Sequence, residues 1–551
     1  MHAPTKVQTQ ALTATPPGEP QVWLTAAGLG LGMLMVVSLL GVIVANGVPV
    51  FLPHRVVEAT LKPGVESPIA GCKAIIGTVV QKRTKSVRVL DDKGHAQPDQ
   101  TETQFYVGNK DAYGSSFCYL DSQSIQGMQE PRDILLVERM EYGQAFGVPL
   151  AVVDAEGKRV AYPSDNFNSR LQQLVSESTH RRAEIEKIEK RDIGRINSRL
   201  DKLRVEKANS AADQQEISQL EGRYTELAAQ AKQLREQQQG AKLVLRLPND
   251  TEKEIFVGDI VSYYFPNQVG FWSRVGLSLQ KAWNFVSQDP REANTEGGIF
   301  PAIFGTFVMT LLMSVLVMPF GVVAAIYLRE YAKQGFFVRA VRIAVNNLAG
   351  VPSIVFGVFG LGFFVYAVGG TIDQLFFSQY LPTPTFGTGG VLWSAFTLAL
   401  MTVPVVIVAT EEAIASVPRG MKEASLACGA SKWQTIQRIV LPASLPGILT
   451  GLILAMARGA GEVAPLMLVG VVKLAPSLPI DAVAPFVHME RKFMHLGFHI
   501  YDLGFQSPDS EAAKPMVFAT TLLLIALVIG LNLTAILLRE RLRRRYAVGA
   551  F

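Results

Sequence analysis

Charged residues are scarce in this chain of 551 residues, where Lys, Arg, Asp and Glu together make up only 18%. Soluble domains typically contain about 25%, and the 49% of hydrophobic residues points the same way. The composition therefore argues against a soluble enzyme and against a disordered or collagen-like chain. The 52 basic and 47 acidic residues leave a net charge of +5, which is too small at this length to indicate nucleic-acid binding.

Cysteine is also rare. Cys72, Cys118 and Cys428 are the three in the chain, and they give neither a disulfide framework nor the spacing of a zinc site. Two interpretations stay open for Cys72 and Cys118, which lie in the part expected outside the membrane: a disulfide in an oxidising compartment, or two unpaired buried thiols. Cys428 is expected on the cytoplasmic side in its reduced form.

Several chemical motifs are missing. The sequence has no G-x-x-x-x-G-K-[ST] loop, so we expect no ATP-binding site and no cofactor in this chain. No nucleophile and base form a recognisable pair, which predicts a protein without a catalytic site. His488, His495 and His499 share one segment, but their spacings of seven and four residues are weak for metal binding, so we predict surface or packing roles and no metal site.

The missing charges are concentrated in long blocks. Five blocks contain no Lys, Arg, Asp or Glu: 20–54, 297–328, 343–372, 374–410 and 515–538. A sixth apolar block, about 446–470, is interrupted only by Arg458 and Glu462. A membrane-spanning helix needs about 20 mostly apolar residues. The sequence therefore predicts six membrane spans, at roughly 24–51, 301–328, 345–368, 391–410, 446–470 and 516–538. The first apolar stretch is longer than the roughly 7–15 residues of a signal-peptide core, so we interpret it as a retained anchor rather than a cleaved signal.

Basic residues predict the orientation. They are dense in the tail 539–551 and recur in the loops 329–344 and 411–445, whereas the loop 369–390 has none. Basic loops stay in the cytoplasm. We therefore predict a bacterial inner-membrane protein with a cytoplasmic N-terminus (1–23) and tail, and with residues 52–300 and 471–515 in the periplasm.

The segment 52–300 differs in character from the rest. Four stretches are rich in β-branched residues and are bounded by turn residues, which predicts a small β-rich domain; they are 74–90, 133–138, 149–161 and 242–247. Between them, residues 165–238 are charged and carry a heptad seam, formed by Ile217, Leu220, Tyr224, Leu227, Ala231 and Leu234. We predict an antiparallel helical hairpin that turns near 207–214, with one long self-associating coiled coil as the alternative.

Residues 271–287 alternate aromatic and basic or polar side chains just before the second span. This pattern predicts an amphipathic helix at the membrane surface. A helix buried against the β-rich domain would have a similar pattern.

The most specific motif lies in the basic loop between the fourth and fifth spans. Glu423-Ala424-Ser425 is followed after three residues by Gly429, and after nine more by Ile439 and then Leu441-Pro442; the residues concerned are Glu423, Ala424, Ser425, Gly429, Ile439, Leu441 and Pro442. We expect one short helix that Gly429 ends in a left-handed conformation. Ser431 should cap a second helix that Pro442 stops. Two helices joined in this way form a compact knob.

This spacing resembles the EAA loop of ABC importer permeases, with Ser425 in place of the usual Ala. A finer resemblance, over about 297–540, is to phosphate permeases of the PstA type. It rests on GGIFPAIFGTF (297–307), PFGVVAAIYLREY (319–331), NLAGVPSIVFGVFGL (347–361) and ARGAGEVAPL (457–466). The family reads G-E-T-A-P-L in the last segment, and Val463 departs from that Thr. The long insert 52–300 lies outside the resemblance.

The resemblance implies several partners. The knob would receive motion from two copies of an ABC ATPase, which bind the ATP and Mg that this chain does not. A PstC-type sister permease would complete the pathway, and a periplasmic phosphate-binding protein would deliver the substrate. The sequence leaves open a contact with a phosphate-signalling regulator, and it indicates membrane lipid but no nucleic acid.

Two groups of residues are candidates for the pathway itself. Arg458 and Glu462 are four residues apart, which would place both on one face of a membrane helix, where charges are costly and usually face a cavity or partner. Arg suits an anion because its planar fork bonds two oxygens, although a purely structural ion pair is the alternative. Gly350, Pro352 and Gly357 would break the third span and line the pathway wall, or serve close helix packing.

The sequence thus predicts an α-helical membrane protein of the ABC type-1 importer permease fold. Six transmembrane helices are expected, with a β-rich and coiled-coil-hairpin extracytoplasmic domain inserted after the first; the permease domain would occupy 301–538. The predicted function is the permease subunit of an ATP-driven phosphate importer. The alternatives are a permease for sulfate, molybdate or phosphonate, and a membrane-anchored phosphate-sensing scaffold.

Overall fold

The structure, a computed structural model, describes residues 20–72, 74–85, 100–205 and 211–547. Four predicted segments lie partly outside the described residues: the N-terminal segment up to residue 19, the end of the first predicted strand (86–90), part of the predicted hairpin turn (206–210) and the last four residues of the tail (548–551).

Six helical segments of the described chain are long and apolar enough to cross a membrane, which confirms the predicted number. They are Gln21–Phe51, Phe300–Tyr331, Ser353–Phe376, Val391–Ala415, Lys432–Gly461 and Ser510–Arg544. Their main helices, with the helices of the insert between them, are α1 (Pro20–Gly47), α2 (Lys110–Tyr113), α3 (Asp165–Glu186), α4 (Gly194–Val205), α5 (Ala211–Gln238), α6 (Phe271–Ser287), α7 (Phe300–Ile326), α8 (Phe336–Leu348), α9 (Ser353–Phe359), α10 (Gly370–Phe376), α11 (Val391–Ala415), α12 (Arg419–Ala427), α13 (Lys432–Thr435), α14 (Leu441–Gly461), α15 (Ala464–Val469), α16 (Leu496–Tyr501) and α17 (Ser510–Ala547).

The third span begins later than predicted. The charge-free block from residue 343 first forms the end of α8, whose Phe336 and Phe337 are largely exposed, and then a turn through Gly350. Pro352 precedes the first residue of α9, a position where its missing N–H costs nothing. The prediction that Gly350, Pro352 and Gly357 break this span is therefore wrong. The first two precede the span, and Gly357 lies within α9.

The fifth span is also displaced. It starts at Lys432 and continues without a stop through a π-helical turn (436–440) into α14, so the prediction that Pro442 ends a helix is wrong. The π turn shifts the backbone hydrogen bonds by one residue, and such local adjustments accommodate proline within membrane helices. The span ends at Gly461 rather than at residue 470, and the short helix α15 follows.

The membrane helices pack around α11, which contacts both α7 and α14 extensively. Small residues permit this approach: a Cβ on Gly447 or Gly451 would lie 2.5 Å from the Cβ of Ala413 or Ala409. Buried Met309, Met313, Val317, Leu398 and Ala455 belong to the main core of this part. The first helix, α1, packs against α17 instead and stands apart from that core.

The insert contains two antiparallel sheets, which confirms the predicted β-rich region. One has five strands in the order β4-β3-β2-β1-β5, and the other has β10-β9-β7-β6-β11 with β8 beside β7. The strands are β1 (Val57–Leu61), β2 (Ala74–Lys85), β3 (Gln100–Tyr106), β4 (Phe117–Asp121), β5 (Ile125–Gln129), β6 (Leu135–Arg139), β7 (Gln144–Val153), β8 (Arg159–Ala161), β9 (Lys242–Arg246), β10 (Glu252–Phe256) and β11 (Ile260–Tyr264), and a two-residue ladder joins β12 (Pro290–Arg291) to β13 (Glu296–Gly297).

Helices α3 to α5 form an antiparallel hairpin on the second sheet. Ion pairs show the direction, since Glu189 contacts Arg235 at 2.6 Å while Arg199, ten residues later, contacts Glu216 at 2.7 Å. The seam buries an apolar row, to which Ile188, Ile196, Leu200, Leu227 and Ala231 belong. The hairpin is thus closed within one chain, in contrast to the alternative of one long self-associating helix.

The insert also contacts the segment 471–509 and the start of α17. Asn294 Nδ2 lies 3.4 Å from Asp502 Oδ2, and Ser198 on the hairpin donates to the carbonyl of Ala484 at 3.2 Å. Gln104 donates to Glu511 at 3.3 Å. These contacts place the insert against the loops at one end of the membrane helices.

Candidate functional site

The predicted knob consists of α12 and α13, joined at a tight elbow. Cys428 caps α12, and Gly429 adopts a φ of +84°, a conformation that strongly favours glycine. Ser431 forms a reciprocal capping box with Gln434, as its position predicts. The Ser425 and Thr435 hydroxyls lie 2.9 Å apart and tie the two helices together. The elbow is therefore fixed by local interactions.

One carboxylate connects the knob to the membrane helices. Glu330 follows α7 and forms an ion pair with Lys422 at 2.6 Å, while Lys432 binds the Glu330 backbone carbonyl and lies 5.0 Å above the ring of Tyr331. Sequence reasoning missed Glu330, because its partners lie 92 and 102 residues further along the chain. The available signal was an isolated acid directly after a span, facing a loop rich in lysine and arginine.

Apolar packing completes this attachment. Ile436 and Val440 belong to one buried cluster with Ile326 and Ile414, so the ends of α7 and α11 meet the base of the fifth span. The predicted Ile439, Leu441 and Pro442 are partly buried beside it. Glu423 and Ala424 are exposed.

The exposed side of the knob carries three large apolar side chains. Met421 is 38% exposed, Leu426 49% and Trp433 56%. Exposed apolar side chains grouped in this way are typical of interaction surfaces.

Arg458 lies in the last turn of α14, at the end opposite the knob, and Glu462 directly follows that helix. The prediction that both share a helix face is wrong for Glu462, because α14 ends at Gly461 and Glu462 is extended, with φ −76° and ψ 135°. Gly459 and Gly461 weaken the last turn, and Pro465 belongs to the next helix. The two side chains nevertheless meet, with Arg458 Nε 3.6 Å from Glu462 Oε1.

The interrupted backbone beside Glu462 packs against the third span. A Cβ on Gly357 would lie 2.7 Å from Pro465 Cα, so Gly357 allows α9 and α15 to touch. Gly350 and Pro352 lie in the turn before α9 and are not part of this contact.

Three histidines lie in the segment 471–509, and all are buried. His488 contacts Asp481 at 3.2 Å. His495 accepts a hydrogen bond from the Gly497 amide, and burial lowers its pKa to about 3. No group of metal-binding side chains occurs among the described residues.

The thiols of Cys72 and Cys118 are free and buried. Burial raises the pKa of Cys118 to about 12, with a smaller contribution from Cys72. A disulfide between them stays a prediction. Cys428 is free and exposed on the knob.

Comparisons with known proteins identify the membrane part. The model of the binding-protein-dependent transport system inner membrane component family matches residues 317–548. The probable ABC transporter permease YqgI of Bacillus subtilis is 31% identical over 254 residues, which are 44% of this chain and 80% of YqgI. The phosphate transport system permease PstA 1 of Mycobacterium tuberculosis is 35% identical over 250 residues, 45% of this chain and 73% of that protein.

One further relative and one solved structure also match. The chain spans 59% of the length of YqgH, another probable ABC transporter permease of B. subtilis, at 32% identity over 36% of this chain. A solved structure of the MetNI methionine ABC transporter covers 48% of this chain and 98% of its own at 18% identity, and its TM-score of 0.33 is too low for structural inference.

The family match and the six apolar helices confirm the predicted ABC type-1 importer permease fold. They make the protein a multi-pass membrane protein. The chain belongs to the family of inner membrane components of binding-protein-dependent transport systems.

Proposed function

We propose that this chain is the PstA-type permease subunit of an ATP-driven importer of inorganic phosphate. The observation that carries the proposal is the 35% identity over 250 residues to a phosphate transport permease. Arg458, in a partly exposed position beside interrupted backbone, supports an anionic substrate, because a guanidinium binds two oxyanion oxygens at once.

The knob is the proposed docking element for the ATPase subunits. Its predicted residues Glu423, Ala424, Ser425 and Gly429 lie on or beside a surface that exposes Met421, Leu426 and Trp433. The firm attachment of the knob to Glu330 and to the base of the fifth span means that a push on the knob moves α7 and α14 with it. Two copies of an ATPase would bind ATP and Mg and supply that push.

The fifth span provides the mechanical link to the substrate. Its 30 residues run from Lys432 in the knob to Gly461, beside Glu462. At 1.5 Å per residue this helix is roughly 45 Å long. A tilt driven at the knob would therefore displace Arg458 at the other end, which is what alternating access requires.

The pathway is proposed to lie between this chain and a PstC-type sister permease. Arg458 and Glu462 would face it, and Gly350, Pro352 and Gly357 are candidates for its wall. A periplasmic phosphate-binding protein would deliver the anion and set most of the selectivity. A phosphate-signalling regulator is a further candidate partner of the complex.

The proposed topology places the knob and both termini in the cytoplasm, and residues 52–300 in the periplasm. The basic loops support it. Helix α6 is proposed to lie on the membrane surface, since it exposes Phe271, Trp272, Leu279 and Trp283 by 68% or more while Phe285 is buried among residues of the membrane part.

Reconstitution tests the function. The chain, its sister permease, the ATPase and the binding protein are placed in liposomes, and ATP-dependent uptake of radioactive phosphate is measured with sulfate, molybdate or a phosphonate in excess. We expect uptake that none of the three competitors suppresses. Suppression by one of them, with transport of that anion, would assign the permease to it instead. Absence of any ATP-dependent transport would reject an importer and leave a sensor or scaffold.

A further inference from the structure

A cleft of about 370 Å³ lies where the insert meets the membrane helices. Both sheets, α6, the β12–β13 ladder and the start of α17 contribute to its wall, and Phe51, Pro515 and Met516 line it on the membrane side. Small-molecule sites occupy roughly 300–1,000 Å³. The cleft is therefore large enough for a small ligand or a lipid headgroup.

Two opposite charges in this wall line the same space without forming an ion pair. Arg291 and Glu296 are directly opposed across the β12–β13 ladder and both line the cleft. Opposed residues put their Cα atoms only about 4.5–5.5 Å apart. Even so, no ion pair within 4 Å joins them, and neither forms one with any other residue that the structure describes. Arg291 Nε is buried without a hydrogen-bond partner.

The Glu296 carboxylate, like the Arg291 side chain, has few hydrogen-bond partners. Its one side-chain hydrogen bond in the described chain comes from the Tyr106 hydroxyl at 3.5 Å, the longest distance that still qualifies. Burial raises the pKa of Glu296 to about 7; the charges of Glu138 and Glu292 add to the increase, and those of Arg291 and Arg139 only partly oppose it. A positively charged group beside Glu296 would lower the free-energy cost of its buried negative charge.

Neighbouring charges in the cleft are paired. Lys281 contacts Glu138 at 3.2 Å, and Lys110 contacts Glu292 at 3.3 Å. Asp509, which also lines the cleft, accepts a hydrogen bond from the Ala512 amide at 3.2 Å near the start of α17. Arg291 and Glu296 therefore have fewer partners than these charged neighbours in the wall.

We propose that this cleft binds a zwitterion, with its ammonium on Glu296 and its phosphate or carboxylate on Arg291. Two sources carry this chemistry: the headgroup of phosphatidylethanolamine, and a soluble compound such as phosphoethanolamine. Apolar Phe51 and Met516 at the ends of α1 and α17 would accommodate the start of the acyl chains of a lipid. The proposal does not depend on which anion the permease transports.

The first experiment compares ligands on the unmodified protein. The full-length protein is delipidated in detergent and titrated with phosphatidylethanolamine, phosphatidylglycerol, phosphoethanolamine and glycerol phosphate, with bound species counted by native mass spectrometry. We expect the ethanolamine compound to bind roughly 10- to 100-fold more tightly than its glycerol counterpart, as a charge-assisted hydrogen bond implies. Tight binding of phosphoethanolamine itself would identify a soluble source, whereas binding of the lipid alone would identify the headgroup. Equal binding of ethanolamine and glycerol compounds would overturn the proposal.

The second experiment uses variants of Arg291 and Glu296. We expect the preference for ethanolamine over glycerol compounds to disappear in both Glu296→Gln and Arg291→Gln. The control variants at exposed positions, Glu66→Gln and Arg132→Gln, should keep this preference. Glu296→Gln retains the shape of the side chain and removes a buried charge, so folding should be preserved, which the thermal unfolding midpoint checks. An unchanged preference in folded Glu296→Gln would refute the assignment.

Discussion

Arg458 and Glu462 form an ion pair across the end of a helix: Arg458 is in the last turn of α14, and Glu462 is the first residue beyond it. Both side chains are partly exposed, at 36% and 21%. In the proposed pathway, an incoming anion would compete with Glu462 for Arg458.

Arg458→Gln should reduce phosphate uptake by about 10- to 100-fold, because it removes a charge-assisted hydrogen bond of roughly 1.5–3 kcal/mol. Protein level and assembly should be unaffected, since Gln next to Glu462 is tolerable at a partly exposed site. Uptake into cells or liposomes measures the effect. The double variant Arg458→Gln/Glu462→Gln separates the two roles of the pair. Recovery of uptake in it would show that Arg458 only neutralises Glu462.

Gly429→Asp should uncouple transport while leaving membrane insertion normal. At a φ of +84° a side chain strains the backbone, and the elbow would open. We expect loss of ATPase co-purification or of ATP-dependent uptake. Gly420→Asp is the matched control, because it adds the same charge to the same knob within the regular helix α12. Equal loss in both variants would point to charge rather than to the elbow.

The topology can be tested with native Cys428, the exposed cysteine of the described chain. An impermeant maleimide should leave it unlabelled in intact spheroplasts and label it in broken membranes. In a Cys428→Ser background, Ser218→Cys on the exposed face of α5 should show the reverse accessibility, as should Ser210→Cys in the predicted turn. Labelling of Cys428 from outside would invert the proposed orientation.

Helix α6 should bring its tryptophans into contact with lipid. In nanodiscs with brominated acyl chains, Trp272→Phe/Trp283→Phe should lose a large part of the quenchable fluorescence of the wild type, because both indoles are exposed by 69% or more. Trp433→Phe, on the knob, is the control and should leave the quenching unchanged. If the double variant behaves like this control, α6 does not touch the bilayer.

Asp111 should stabilise the insert in a pH-dependent manner. Burial alone would raise its pKa, but hydrogen bonds from Arg139 and Lys253 outweigh this and lower the pKa to about 2. The stabilisation is therefore fully present above the unfolded pKa of about 3.9 and is lost as pH falls toward 2. Asp111→Asn should cost about 3 kcal/mol at pH 7, because Arg139 stays buried without its partner.

Thermal unfolding of the full-length protein at pH 7 and pH 3 measures this contribution. The difference in unfolding midpoint between the wild type and Asp111→Asn should be smaller at pH 3 than at pH 7. The exposed Asp133→Asn should show little difference at either pH. The same difference in unfolding midpoint at both pH values would contradict the assigned role of Asp111.

The sequence predicted best what depends on neighbours along the chain. Six apolar blocks, five of them free of charge, form membrane helices because their backbone groups must be satisfied within each segment. Ser431 caps its helix because the rule involves residues three apart. By contrast, whether Pro442 stops a helix depends on a π turn that local patterns do not reveal, and the start of the third span depends on how the amphipathic α8 packs.

The candidate site shows the same limit. The charges Arg458 and Glu462 were visible in the sequence, but the end of α14 between them was not, because glycines occur both within and beyond membrane helices. Glu330 was invisible as an anchor, since its contact with Lys422 spans 92 residues. The Arg291–Glu296 arrangement required a two-residue ladder too short to predict.

The insert leaves the membrane through α1 and returns through α6 to α7, so it is attached at two points. A domain on a single linker can swing about it, but one attached twice can only rock about the line that joins the attachments. Its hairpin also bonds to the loop at Ala484. This contact, together with those of Asn294 and Gln104, leaves the insert less freedom to move than its two chain connections alone would allow.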